Sequence, residues 1–267
     1  MRDAVIVTCT LILLVGSFSS NPNTREAIEC GRSRVEVEGI VGVRAAREGQ
    51  LPYQVSLTMY GFHYCGGVII SGRTVVTAAH CVRKSNLTEL YLRVGAGTHS
   101  QSRKAKWFKT YYDIAMLKVQ EAFDLEGSKG YVAPICLPDP DPEQSSSLQG
   151  NIIVSGWGVT AEGGIPTPVM QMASIPMQND SFCMSQYNHL CPSAVYDGKT
   201  MICAADLSGG KDTFQGDCGG PAAQMQNGTA VLVGIASFCT DCGHSNSVSF
   251  YTRVSHYLDW IRENSNS

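Results

Sequence analysis

Three side chains in this sequence could work as one acid–base and nucleophilic unit. They are His80 in Thr77-Ala-Ala-His80-Cys81, Asp113 in Asp113-Ile-Ala-Met-Leu117, and Cys218 in Gly216-Asp-Cys218-Gly-Gly-Pro221. An imidazole near neutrality can take a proton from a weak nucleophile, and a buried carboxylate behind it orients the ring and stabilises its cationic form. A thiol beside an imidazole is a good nucleophile once it has become the thiolate. Taken singly, His80 reads as a packed core histidine and Asp113 as a surface carboxylate. Only their company makes the chemistry a serious reading.

Residues so far apart in the chain need a scaffold to bring them together. Short runs rich in Val, Ile, Thr and aromatics recur between Gly, Pro, Ser and Asn clusters: Gln54–Met59, Gly67–Ile70, Thr74–Thr77, Leu90–Val94, Ile114–Val119, Ile152–Ser155 and Ala230–Phe238. That spacing predicts an all-β barrel or sandwich. One helix is expected at the C-terminus, where Val254, Tyr257, Leu258 and Ile261 share a face and Ser255 can cap. The polar stretch Pro138–Ser147 reads as a linker between two halves, and no internal repeat is visible.

The N-terminus reads as an export signal over residues 1–20: Arg2, an apolar run Ala4–Gly16, then the small residues Ser17–Ser20. That run is too short to span a bilayer, so a secreted, extracellular protein without a membrane partner is expected. Of the 11 cysteines, Cys9 leaves with the signal and the rest would oxidise outside the cell. The formal charge of −3 offers no case for nucleic acid, and the basic cluster Arg103–Lys109 reads as a solvated loop. Asn86, Asn179 and Asn227 head glycosylation sequons.

The three segments around His80, Asp113 and Cys218 resemble, in that order, the His, Asp and Ser segments of trypsin- and chymotrypsin-like serine proteases. Ile40-Val-Gly42, Pro52-Tyr-Gln-Val, Cys65-Gly-Gly, Ser155-Gly-Trp-Gly158, Tyr251-Thr-Arg-Val and Asp259-Trp-Ile extend the resemblance over roughly residues 40–263. It implies two six-stranded antiparallel β-barrels, over roughly 40–137 and 138–254, with a C-terminal helix at 255–264. The active site would lie in the cleft between the barrels. It implies a propeptide at 21–39 ahead of a peptidase domain at 40–267. It also implies oxyanion-binding N–H groups at Gly216 and Cys218, an acidic pocket floor at Asp212, and a pairing of Asp217 with the amine of Ile40 after activation. The disulfides it implies are Cys65–Cys81, Cys183–Cys203 and Cys30–Cys136. Cys191, in an insertion expected to approach the pocket loop, is then a partner for Cys239 or Cys242. A Zn²⁺ site from His80, Cys218 and the Cys239/Cys242 pair is set aside, since cysteines outside the cell more commonly pair by oxidation. No metal or cofactor is expected.

The sequence also departs from the family. Cys218 stands where the family has its nucleophilic serine, and sulfur's longer bonds disturb a site shaped for oxygen. Phe214 replaces a cysteine that would bond to Cys242. Cys239 and Ser249 replace glycines whose bare backbone admits the substrate, and Phe238 replaces a tryptophan. The segment from His80 to Asp113 is shorter than the family carries, which remodels a loop at the cleft. Gly39 and Glu38 precede Ile40, where a trypsin-like zymogen carries Arg or Lys; the nearest upstream base is Arg34. Within the family, Met201-Ile-Cys-Ala-Ala-Asp206 followed by Gly209-Gly-Lys-Asp212 resembles the mite group 3 allergens. With the altered nucleophile, the chain resembles the inactivated protease paralogues of the scabies mite. These resemblances imply a catalytically inactive, monomeric homologue that binds protein ligands, host complement components among them. The alternative is an active endopeptidase with a Cys-His-Asp triad and altered specificity.

Overall fold

The computed structural model describes residues 29–37, 42–83, 90–94, 101–140, 149–159, 167–207, 217–240 and 247–265. In the first half, β2 (Gln54–Met59), β3 (Phe62–Ser71), β4 (Thr74–Thr77), β5 (Leu90–Val94), β6 (Gln101–Tyr111) and β7 (Ile114–Val119) close into a barrel of order β2-β3-β4-β7-β6-β5. Alternation explains its wall: along β5, Leu90, Leu92 and Val94 are buried while Tyr91 and Arg93 face out. Tyr53, Leu57, Ile69, Leu92, Met116 and Leu117 fill the inside with no exposed surface. Each large apolar side chain so buried contributes about 1.5–3 kcal/mol.

The second sheet is an open, barrel-like one of seven strands, ordered β1-β9-β8-β11-β12-β13-β10. Its members are β8 (Asn151–Gly156), β9 (Gln171–Pro176), β10 (Met201–Ala204), β11 (Pro221–Gln226), β12 (Thr229–Cys239) and β13 (Ser249–Arg253), with β1 (Val43–Ala45) on its edge. The two-barrel architecture expected from the sequence is therefore present, as one closed barrel and one open sheet. The division of the chain is less clean than expected. β1 precedes the first barrel yet pairs with β9, Val43 lying opposite Ala173.

Three local expectations are corrected. Arg103–Lys109 lies within β6 and is no loop: Ala105 is buried, Lys106 is exposed, and β6 pairs with both β5 and β7. Helix α2 (Asp180–Leu190) was not expected; Asn179 caps it, its Oδ1 accepting from Phe182 N–H at 2.9 Å. At the C-terminus a 3₁₀ turn (Val254–Tyr257) leads into α3 (Leu258–Ser265), so Ser255 lies inside the turn and caps nothing. Val254, Tyr257, Leu258 and Ile261 are all buried, as their spacing predicts. Lys109 donates to Asn264 Oδ1 at 2.8 Å and Lys118 to the Ser265 carbonyl, placing two cations at the negative end of α3.

Candidate active site

His80 is delivered by β4. That strand is buried throughout and runs through Ala78, extended at φ −74 and ψ 141, into the four-residue helix α1 (Ala79–Val82). Asp113 sits at the same end of the antiparallel β4–β7 pairing, where Thr77 lies opposite Ala115. Tyr112, in the left-handed region at φ 49, makes the tight turn just before it. The register of two core strands therefore brings the two side chains together. His80 Nδ1 lies 3.1 Å from both Asp113 carboxylate oxygens, and the His80 backbone N–H donates to Oδ1 at 3.0 Å.

Two further groups hold Asp113, one of them the threonine of Tyr251-Thr-Arg-Val. Ser237 donates its hydroxyl to Asp113 Oδ2, and Thr252 Oγ1 donates to the Asp113 carbonyl at 3.2 Å. Ser237 immediately precedes Phe238 and Cys239. A lone serine in an apolar strand carries no signal of its own. Desolvation pushes the Asp113 carboxyl upward, but hydrogen bonds from His80 and Ser237 outweigh it and hold the group below its usual value.

Cys218 enters from the turn ahead of β11. Gly66 N–H donates to the Cys218 carbonyl at 2.7 Å, and Gly219 N–H to the Ala236 carbonyl at 2.7 Å. Gly219 has φ +82, and a Cβ there would stand 2.6 Å from the Gly66 carbonyl oxygen, so only glycine fits. Cys218 is a free, half-buried thiol whose Sγ points to the Ser237 carbonyl at 3.4 Å. Hydrogen bonding to Asp113 contributes most to pushing the His80 imidazole up to about 10, followed by the neighbouring Cys218, against the opposing effect of burial.

His80 Nε2 also lies 3.7 Å from Cys81 Sγ. By distance Cys65, His80 and Cys81 could hold an ion, but Cys65 and Cys81 are bonded to each other. The pairs Cys30–Cys136, Cys65–Cys81 and Cys183–Cys203 form as the resemblance implies. The expectation for Cys191 is corrected: it is a free thiol at the end of α2, while Cys239 is disulfide-bonded without it.

The family model for trypsin matches residues 40–261. The chain belongs to the trypsin family. It is 34% identical to Trypsin-1 of Astacus astacus over 247 residues, 84% of this chain and 99% of that protein. It is 33% identical to serine proteinase stubble of Drosophila melanogaster over 262 residues, 88% of this chain but 32% of that protein. With Ovochymase-2 of Mus musculus the identity is 30% over 298 positions, 97% of this chain and 48% of that protein.

The remaining expected positions of this trypsin-family site separate clearly. Asp217 is buried, with Gly158 N–H donating to its Oδ1 at 2.9 Å. Ser249 is 1% exposed on β13, directly opposite Cys239 of β12. Phe238 stacks on Phe250, ring centroids 4.9 Å apart. Asn179 and Asn227 are exposed, the latter at the tip of the β11–β12 hairpin. Ile40, Asn86, Asp212, Phe214, Gly216 and Cys242 lie outside the described residues.

The raised pKa of His80 makes a stability prediction. A group whose folded pKa lies above its ordinary 6.5 stabilises fully below that value and loses the effect as pH rises through about 10. Asp113, held low, loses its share in acid. Chemical denaturation of wild type and His80→Gln should therefore differ most near pH 6. The difference should shrink toward pH 10 and again in acid; a constant difference would refute the pairing.

Proposed function

We propose that this protein is a secreted trypsin-family homologue that does not cleave peptide bonds and acts by binding a protein ligand, with host complement components as its targets. Cys218, at the position of the family's nucleophilic serine, is the observation that carries the first part. The buried Ser249 side chain, opposite Cys239 at the strand ends where the family has glycine, supports the same reading. Complement as the target rests on the resemblance of Met201–Asp206 and its neighbours to the mite proteins.

A second reading keeps Cys218, His80 and Asp113 as a thiol endopeptidase triad. The intact His80–Asp113 pair favours it, because a thiolate–imidazolium couple is a competent nucleophile. Processed protein incubated with Arg and Lys esters and a diverse peptide library decides between the two. We expect no measurable turnover. A rate within ~100-fold of the ~10 s⁻¹ typical of enzymes would establish the second reading. In a parallel haemolysis assay, micromolar protein should lower complement lysis with every component left intact. Full lysis would remove the complement target and leave the binding role.

A further inference from the structure

The first barrel carries its charge unevenly. Residues 90–111, from the start of β5 to the end of β6, hold five of the chain's 20 Lys and Arg residues and none of its 23 Asp and Glu residues. The chain as a whole is acidic, at −3, so this surface runs against the net charge. Strand geometry decides where the cations point. Leu90, Leu92 and Val94 are buried, so Tyr91 and Arg93 face outward, and Tyr91 lies directly opposite Lys104 of β6. Lys104 and Lys106 flank the buried Ala105 and share that outer face, and Lys109 is exposed further along β6. Neighbouring elements add more positive charge. Arg73, in the turn between β3 and β4, donates to the Gln120 carbonyl at 2.8 Å, and Gln120 N–H donates to the Lys104 carbonyl at 3.0 Å. Burial, and then the Arg73 guanidinium, hold Lys118 below its ordinary range. Among the described residues none of these cations is in an ion pair. Like charges crowded on one wall repel each other, and the fold gains nothing from them.

We propose that the outer face of β5 and β6 binds a sulfated polysaccharide. Alternate residues of a strand stand about 6.8 Å apart and adjacent strands about 4.8 Å apart, so the cationic head groups form a regular array. A sulfated sugar chain repeats its anionic groups along an extended polymer, and such an array pairs them without a pocket. Tyr91 and Tyr111, 43% and 46% exposed, set apolar ring faces among the cations, against which the C–H faces of sugar rings pack. Protein partners take most of their affinity from apolar anchors seated in pockets; this wall offers charges and ring faces. The site is independent of the protein-binding reading and of the His80–Asp113 pair.

Full-length processed protein is titrated calorimetrically with a size-defined heparin oligosaccharide. Binding is expected at about 50 mM salt and should be ~30-fold or more weaker at about 200 mM, because each paired sulfate releases counterions. Lys104→Gln with Lys106→Gln should weaken binding ~10-fold or more and flatten that salt dependence. Arg32→Gln with Lys199→Gln removes two exposed cations elsewhere and should keep wild-type affinity, although the change of charge is the same. Should the Lys104 and Lys106 variant fail to fold, Arg93→Gln on the neighbouring strand gives a second reading, a loss of ~3-fold or more. No binding at the lower salt, an equal loss in the Arg32 and Lys199 variant, or wild-type affinity in the β5 and β6 variants would overturn the proposal. Equal affinity for desulfated heparin, for duplex DNA or for phosphatidylserine vesicles would overturn it as well.

Discussion

Cys218→Ser should recover almost no trypsin-like turnover, even when the chain is cut before Ile40. The expectation runs against the simplest view of the site. The His80–Asp113 pair is assembled, Ser237 supports it, and the turn carrying residue 218 is held by Gly66 and Gly219. Members of a triad act as a unit, so restoring the last one should return most of the lost rate if nothing else were wrong. But the substrate must first be bound. Ser249 is buried and directly opposite Cys239, and Cys239 is tied in a disulfide. Side chains at those two places should obstruct the substrate before chemistry begins. Kinetics with Arg and Lys esters should therefore leave Cys218→Ser more than ~100-fold below the ~10 s⁻¹ typical of enzymes. Cys218→Ser with Ser249→Gly should do better. The double change is a cleaner probe than one including Cys239→Gly, which would also break a disulfide. Near-normal turnover from the single variant would show an open pocket and a nucleophile as the sole lesion.

The parts of this molecule that were legible in the sequence are those with short-range signatures. β2, β4, β5 and β7 run over the residues that their Val, Ile, Thr and aromatic content between turn residues predicts, because those side chains pack into the barrel core. His80, Asp113 and Cys218 sit in local motifs, so resemblance finds them before any packing is known. Failures came where the deciding contact is distant or the local signal is ambiguous. In Arg103–Lys109 the charges suggest solvent, yet a barrel strand needs to bury only every second residue, and Ala105 does so. Helix α2 buries Cys183 and little else, so it lacks an apolar stripe. Its cap, Asn179, also heads a sequon and reads as one. Ser237 reaches Asp113 across 124 positions of sequence, a pairing that only the folded sheets create. The placement of β1 against β9 is of the same kind, set by packing between halves and by nothing within Val43–Ala45.

Replacing both Cys30 and Cys136 with alanine should cost about 4–5 kcal/mol, the largest stability loss expected from any single linkage here. The bond joins residues 106 apart, and in the chain-entropy account a closure of that length most restricts the unfolded chain. The native state is well prepared for it. Gly31 N–H donates to the Pro134 carbonyl at 2.8 Å, and Ala230 N–H to the Gly31 carbonyl at 2.9 Å, beside the bridge between Cys136 and Val231. Gly31 has φ +70, and a Cβ there would stand 2.6 Å from Thr229 Cγ2, so the segment passes as closely as backbone allows. Further along, the Arg34 guanidinium lies over the Tyr131 ring at 4.5 Å and donates to the Lys129 carbonyl at 2.6 Å, and Val37 is 3% exposed. These contacts keep the segment in place without the disulfide, so the loss falls on the unfolded state and should appear as a lowered denaturation midpoint. For a chain of this size it corresponds to a drop of about 10 °C in Tm. Cleavage before Ile40 separates the two effects. With the disulfide intact the cut segment stays bound, and non-reducing peptide mapping recovers Cys30 joined to Cys136. In the double alanine variant a few backbone hydrogen bonds, each contributing about 1 kcal/mol, must oppose the entropy of release, and the segment should dissociate. An unchanged midpoint, or a free thiol at either cysteine in the wild type, would contradict this account.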